Sequence, residues 1–294
     1  MLRDINMKIL VTGASGLLGT DIVKTFEKKG HEVIKTAFSQ RDGFIAADIS
    51  KENGIKTLSD LNWDLIIHTS ASRDPDICEN NKTEAYRLNV WASEKLAEAA
   101  FKKNARMLFI STDYVFSGEK APYKEIDETN PINYYGKNKV EAEELISKIL
   151  VENVCIIRVP VLYGINAGLK ASALLNSSIT LINSGKTSYL DDYIIRYPTF
   201  TEDVSRAIFL LVEKNAFGIY HYSGQDKTTK YKIALMIADL LGKNHNHLNK
   251  ISERPNTAAR RPYDSHLDIS KITYLGFRKP LPLKERLKSI VHNL

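Results

Sequence analysis

Apolar residues along this chain follow two alternating rhythms. Short β-branched runs alternate with longer stretches whose apolar positions recur every three or four residues, the pattern of a parallel α/β fold. The first run is Lys8-Ile9-Leu10-Val11, and Leu17, Leu18, Ile22, Val23 and Phe26 follow at helical spacing over 17–29, with Gly30 placed to end that helix. Further strands are expected at Glu32-Val33-Ile34-Lys35, Phe44-Ile45-Ala46-Ala47, Asp64-Leu65-Ile66-Ile67-His68, Arg106-Met107-Leu108-Phe109-Ile110 and Val154-Cys155-Ile156-Ile157-Arg158-Val159. Helical stretches precede the fourth and fifth strands, and a long helix is expected over 134–150. Strands this continuously apolar are buried on both faces. Beyond Pro160 the rhythm becomes irregular, with helical pieces near 169–182, 201–213, 230–241 and 282–292 and a short strand at Gly218-Ile219-Tyr220-His221-Tyr222. The pattern predicts a doubly wound parallel sheet with a smaller C-terminal domain. Ligands of such sheets sit beyond the carboxyl ends of the strands, so the loops after strands one, four and five matter most.

Composition narrows the function classes. The 294 residues are 43% hydrophobic and 26% charged, enough for a full core. Lys plus Arg number 41 against 35 Asp plus Glu, a net charge of +6. The cations are scattered, as at Lys28, Lys29, Lys102, Lys103, Arg260 and Arg261, and no basic run interleaved with aromatics suggests a nucleic-acid groove. A small anionic substrate fits better. No run approaches the ~20 apolar residues of a membrane span, and Met1 to Leu10 lacks the apolar block of a secretory signal, so the cytosol is the expected compartment. Cys78 and Cys155 form no CxxC pair, which argues against a disulfide framework and a structural zinc site. His245 and His247, in an Asn-rich stretch, read as a solvated loop rather than a metal site; no metal is expected.

Directly after the first strand stands Thr12-Gly13-Ala14-Ser15-Gly16-Leu17-Leu18-Gly19, a TGxxGxxG pattern opening the first helix. Gly13 permits the tight turn, Gly16 lets the backbone approach a pyrophosphate, and Gly19 lets helix and strand pack closely; the helix N-terminus attracts the phosphate charge. An ordinary glycine-rich turn is the bland alternative. The pattern makes the fold Rossmann-type: residues 1–160 form the dinucleotide-binding domain, rejoined by about 190–222, while 161–189 and 223–294 form the smaller substrate-binding domain. About 20 positions after the loop, where a carboxylate would bind the ribose of NAD, stand Thr36, Ala37, Phe38, Ser39, Gln40 and Arg41. Arg41, helped by Ser39 and Gln40, suits the 2′-phosphate of NADPH, with NADH as the other option. Arg41 as a solvated loop residue beside Asp42 is the competing reading. Asp48, ending the third strand, either accepts from the adenine amino group or caps the helix starting near Ser50.

Tyr135-Gly136-Lys137-Asn138-Lys139 sets a tyrosine and a lysine one helical turn apart. A nearby ammonium stabilises phenolate and lowers a phenol's pKa from about 10, so the spacing predicts an acidic Tyr135 that protonates a carbonyl oxygen as a hydride arrives. Ser111-Thr112, at the mouth of the fifth strand, offers a hydroxyl to the same oxygen. Tyr134 competes by proximity, but its partner four residues on is the uncharged Asn138. Tyr135 and Lys139 as one exposed face of a charged helix is the alternative.

These residues resemble the extended short-chain dehydrogenase/reductase superfamily, and within it the dTDP-4-dehydrorhamnose reductase-like branch, over nearly the whole chain. Ser111-Thr112-Asp113-Tyr114-Val115-Phe116-Ser117-Gly118 looks like the branch's STDYVFDG segment, Pro131 through Lys139 its PxNxYGxTK, Arg158 through Gly164 its RxxxLYG, and Arg261-Pro262-Tyr263-Asp264-Ser265 its RPxNS, with Ser117 and Asp264 as departures. The resemblance implies Thr112, Tyr135 and Lys139 as a catalytic triad and NADPH-dependent reduction of a nucleotide-linked 4-keto-6-deoxysugar. It also implies a cofactor site of Gly13, Ser15, Gly16, Leu17, Leu18, Gly19, Ser39, Gln40, Arg41, Asp48, Ile49, Thr69, Ser70 and Ala71, joined by Tyr135 and Lys139. His68 would stand beside the nicotinamide half and Asn89 in the supporting helix. Arg73, Asp113, Tyr114, Arg196 and Arg261 are candidates for gripping the sugar nucleotide, or surface ion-pair residues. Arg73-Asp74-Pro75-Asp76-Ile77-Cys78-Glu79-Asn80, Arg196-Tyr197-Pro198-Thr199, Tyr220-His221-Tyr222-Ser223-Gly224 and Thr229-Lys230-Tyr231 are similar to the regulatory β subunits of methionine adenosyltransferase, which share this fold. That likeness implies a binding module that holds NADP and lends its tail, His292-Asn293-Leu294, to a partner enzyme. A homodimer is a further partner option.

Overall fold

The structure, a computed structural model, describes residues 6–165 and 171–291. The expected partner-binding tail at 292–294 and the first two residues of the helix expected at 169–182 lie outside the described residues. The chain runs β1 (Lys8–Thr12), α1 (Leu17–Lys28), β2 (Glu32–Ala37), β3 (Ile45–Ala46), α2 (Glu52–Ser59), β4 (Leu65–His68), α3 (Pro75–Asn80), α4 (Lys82–Tyr86), a π-helical turn (Arg87–Trp91), α5 (Ala92–Lys102) and β5 (Arg106–Thr112). A 3-10 turn (Asp113–Val115), α6 (Tyr134–Leu150), β6 (Val154–Val159), β7 (Leu162–Tyr163), α7 (Ala173–Ser184), β8 (Ser188–Asp191), β9 (Thr199–Phe200) and α8 (Thr201–Glu213) follow. The chain continues through β10 (Gly218–His221), α9 (Lys230–Leu240), β11 (Leu248–Ile251), α10 (Ser270–Tyr274) and α11 (Leu283–Val291).

Seven strands form a parallel sheet in the order β10-β6-β5-β4-β1-β2-β3. Chain order reverses direction between β1 and β4, so the crevice at their carboxyl ends is the switch point of a doubly wound sheet. Side chains of a strand alternate between faces. Ile9 and Val11 accordingly face α1 and α8 through Leu18, Ile22, Phe26, Val204 and Ile208, whereas Leu10 lies in the opposite layer with Leu96 and Ala100 of α5 and Ala142 and Ile146 of α6. Burial on both faces explains why these strands read as continuous apolar runs. A separate core joins α7, α9 and α11 through Leu175, Ile233, Ile237 and Leu287.

The structure departs from the sequence pattern in three places. Strand β5 runs two residues further than the apolar run, because Ser111 and Thr112 pair with Arg158 and Val159 of β6. Strands β7, β8, β9 and β11 are two to four residues long, too short for a period to register. Helix α10, inside the stretch assigned to the smaller domain, packs Ile269 and Ile272 into the core of the main sheet. Lys271 fastens it to β10 by donating to Ile219 O at 2.6 Å with its ammonium 4.2 Å from the Tyr220 ring centre.

Candidate active site

The loop after β1 is shaped by close approach. Gly13 has φ +66°, and a Cβ there would lie 2.8 Å from Thr69 Oγ1 and 2.9 Å from Ser70 Oγ. A Cβ on Gly19 would sit 2.2 Å from the Gly13 carbonyl oxygen, so strand and helix touch backbone to backbone. Gly16 occupies the N-cap of α1 without a side-chain capping bond, leaving the amides of the first turn facing the cleft. The loop after β4 is tied to the first: Thr69 donates its hydroxyl to Thr12 O at 2.7 Å, and Thr12 Oγ1 meets His68 Nδ1 at 2.7 Å. Burial pushes His68 down to about 3, so it stays neutral. Asn89, in the π-helical turn, grips Ser72 through both amide atoms, accepting from its N–H at 2.8 Å and donating to its carbonyl at 2.9 Å.

These loops border a cleft of about 1400 Å³. Single small-molecule pockets measure roughly 300–1,000 Å³, so the cleft has room for two ligands side by side. Every expected cofactor residue lines it except Ser39, Gln40 and Arg41. Those three are exposed; Arg41 bridges to Phe44, and its guanidinium carbon lies 5.0 Å from that ring's centre. Lys51 and Arg87 line the cleft instead. Asp48 lines it too, while accepting from Ser50 N at 3.1 Å and Ser50 Oγ at 2.6 Å, bonds that hold its carboxyl below the usual range. It therefore shapes the turn into α2.

Helix α6 starts where Asn133 Oδ1 accepts from Gly136 N at 2.9 Å, and this N-cap sets Tyr135 and Lys139 on the cleft wall. Tyr135 is buried, with the Thr112 hydroxyl beside its phenol. The expected acidic phenol is not what the structure shows: burial pushes the Tyr135 pKa well above its ordinary value, and Asp113, Cys78 and Tyr114 add to the rise. The physical reason is the placement of the ammonium. Lys139 donates to Ile110 O at 2.7 Å, lies 3.8 Å from the centre of the Phe109 ring, and is itself lowered to about 7 by burial, against the pull of Glu143. Ser111, the other candidate hydroxyl, donates to Glu143. Glu143 also takes a bidentate grip from Arg158, at 3.0 Å from Nε and 2.6 Å from Nη2, with both side chains over nine-tenths buried. Of the two adjacent hydroxyls, Thr112 is thus the one available to the phenol.

The far end of the cleft is cationic. Arg73, Arg196 and Arg261 line it with Asp113 and Tyr114, and so does Lys230, which the sequence offered only within the segment Thr229-Lys230-Tyr231 and not as a site candidate. Its signal was Thr229, whose hydroxyl accepts from Lys232 N and starts α9 with Lys230 in first place. Partial loss of solvent in the cleft wall, with Arg196 and Arg261 beside it, lowers the pKa of the exposed Lys230. Arg261 makes a bidentate pair with Asp76 at 2.6 and 3.1 Å, which holds Asp76 below the usual carboxylate range. Arg196 pairs with Asp191 at 3.2 Å, yet its buried Nε has no partner. Asp264, the departure from the RPxNS pattern, meets Lys227 at 3.0 Å and Tyr197 Oη at 3.4 Å, so a carboxylate is accommodated away from the cleft lining. Among the described residues no helix is long and apolar enough to cross a membrane, and no group of three His, Cys, Asp or Glu is arranged to hold a metal.

The family model described as "RmlD substrate binding domain" matches residues 7–294. The Bos taurus protein named methionine adenosyltransferase 2 subunit beta is 35% identical, over 96% of this chain and 86% of that protein. The dTDP-4-dehydrorhamnose reductase of Aggregatibacter actinomycetemcomitans is 30% identical, over 96% of this chain and 98% of that one. Among solved structures, a dTDP-4-dehydrorhamnose reductase from Clostridium acetobutylicum superposes with a TM-score of 0.86 at 29% identity, covering 97% of this chain and 99% of that chain. The chain belongs to the RmlD substrate-binding-domain family, within the extended short-chain dehydrogenase/reductase group.

Proposed function

We propose that this protein reduces a nucleotide-linked 4-keto-6-deoxysugar with NADPH. The observation that carries the reading is the cleft itself: a glycine cradle that fits a diphosphate at one end, a cationic end at the other, and Thr112, Tyr135 and Lys139 between them. Gly13 and the stretch Ser15 to Gly19 would hold the cofactor diphosphate, Asp48 and Ile49 would serve its adenine, and Thr69, Ser70 and Ala71 would serve its nicotinamide half. The Ala37 end of β2 offers no carboxylate to a ribose, which favours NADPH; Ser39, Gln40 and Arg41, which follow the cleft-lining Phe38 in the chain, would reach for its 2′-phosphate from outside the lining. Bound there, the cofactor supplies a hydride to the carbonyl carbon.

The chain's own residues handle the proton and the charge. Burial keeps Tyr135 protonated at neutral pH, the state a reduction needs, so its hydroxyl can give a proton to the carbonyl oxygen as negative charge develops there. Thr112 steadies that oxygen by a hydrogen bond, and Lys139 holds its ammonium beneath the site against Ile110 O. Arg73, Arg196 and Arg261, with Asp113 and Tyr114, suit the diphosphate and sugar hydroxyls of the substrate.

A second reading is favoured by one observation, the 35% identity to a methionine adenosyltransferase β subunit against 30% to the reductase. There the same cleft would hold NADP in a subunit serving a partner enzyme. The experiment is an NADPH oxidation assay with dTDP-, UDP- and GDP-linked 4-ketosugars. Oxidation that depends on one of them supports the reductase. No oxidation with any, together with a stable complex with a methionine adenosyltransferase catalytic subunit, supports the second reading.

A further inference from the structure

A reduction that takes its proton from Tyr135 leaves a buried phenolate that must be reprotonated. Lys139 does not contact that phenol as a donor here; its ammonium is committed to Ile110 O at 2.7 Å. A different chain of groups leads away from Tyr135. The Thr112 hydroxyl stands beside the phenol and draws its pKa down against the rise from burial, Thr112 Oγ1 donates to Asp113 Oδ1 at 3.1 Å, and Ser265 Oγ donates to Asp113 Oδ2 at 2.5 Å. The backbone N–H of Tyr114, 3.2 Å from Thr112 Oγ1, fixes the hydroxyl between the two acidic groups. Asp113 is only 6% exposed but lines the cleft, so it touches both the buried chain and the solvent-filled space. We propose that Asp113 is a positioning residue that stores a proton and returns it to Tyr135 through the Thr112 hydroxyl after each reduction.

The step balances without a further reagent. The Asp113 O–H bond breaks as an O–H bond forms on Thr112, and the original Thr112 O–H bond breaks as one forms on the Tyr135 phenolate. Asp113 is left as a carboxylate, held by Ser265, and takes its next proton from water in the cleft. When Asp113 is charged, the Thr112 hydroxyl points to it; when it is protonated, that hydroxyl is free to turn to the phenol. The surroundings suit such a store. The groups facing Asp113 are Thr112 of β5, Tyr114 beside it, Tyr135 of α6, Ser265, and Arg196 from the loop after β8. Burial outweighs the hydrogen bonds and the Arg196 charge and raises the carboxyl to about 6, so both of its states are populated near neutrality.

The inference rests on the reductase reading, and its test separates the two. NADPH oxidation with dTDP-4-dehydrorhamnose is followed from pH 5 to pH 8.5 for the wild type, Asp113→Asn, Thr112→Val and Thr112→Ser. The wild-type kcat is expected to fall about fiftyfold between pH 6 and pH 8, as the protonated carboxyl is lost. Asp113→Asn, the same size, and Thr112→Val lower kcat and lose that limb, whereas Thr112→Ser keeps it. A limb that persists unchanged in Asp113→Asn overturns the relay while leaving the reductase intact. Difference infrared titration, which needs no turnover, is the second measurement. A protonated carboxyl band that disappears near pH 6 in the wild type and is missing in Asp113→Asn supports the store; absence of the band at pH 5 overturns it.

Discussion

The two ends of the cleft are built by different physics. The cofactor end is made of backbone: glycines that admit no Cβ, uncapped amides of α1 and a neutral histidine tying two loops together. The chemical end is made of buried ionisable side chains, Tyr135, Lys139 and Asp113, each displaced by burial from its ordinary pKa. Steric constraints of the first kind act over a few residues and leave a short motif. Electrostatic constraints of the second kind are assembled from distant segments, and their balance depends on who is nearest in space. The lesson is that a YxxxK spacing sets two groups on one helix face without deciding which of them lowers the other's pKa.

Substitutions can break this contrast at several strengths. Glu143→Ala strands the Arg158 guanidinium, over nine-tenths buried, beneath the chemical end, and a loss of about 3–5 kcal/mol in denaturant unfolding is expected. A loss below ~1 kcal/mol would mean the pair is dispensable. Lys139 gives a pH signature. Its folded-state pKa of about 7 lies below the ordinary 10.5, so between those values the folded state binds fewer protons than the unfolded one. The cost of burying the ammonium is present in full below pH 7 and is relieved as pH rises through that window, by up to about 1.4 kcal/mol per pH unit. Stability of the wild type relative to Lys139→Met should therefore increase from pH 7 to pH 10; a flat difference contradicts the burial account.

The cofactor end is probed by Gly19→Ala, which forces a Cβ against the Gly13 carbonyl. Overpacking of this kind costs about 1–3 kcal/mol and should also weaken NADPH binding measured by calorimetry. The smallest effect belongs to Arg41→Ala. As an exposed group outside the cleft lining, it should alter the ratio of NADPH to NADH affinity by no more than about fivefold, the scale of an exposed charge contact. A hundredfold change would put Arg41 in the site proper.

The sheet and the glycine loop are legible in the sequence because both depend on local rules. Alternating burial makes β1, β4, β5 and β6 continuous apolar runs, and TGxxGxxG records three close approaches within eight residues. The partners at the chemical end are not legible. Arg261 meets Asp76 across 185 residues, and Ser265 meets Asp113 across 152. Arg158, quoted as part of a reductase-like segment, proves to hold Glu143 rather than to face a ligand. Periodicity reports burial, but it carries no information on which buried charge finds which partner.

Tyr135→Phe tests the central claim most directly, because it removes one hydroxyl and leaves the cleft's shape. Ketosugar-dependent NADPH oxidation is expected to fall by about 10²–10⁴ while calorimetric NADPH affinity stays at the wild-type level. Turnover within a few-fold of the wild type would contradict the assignment of that hydroxyl as the proton donor.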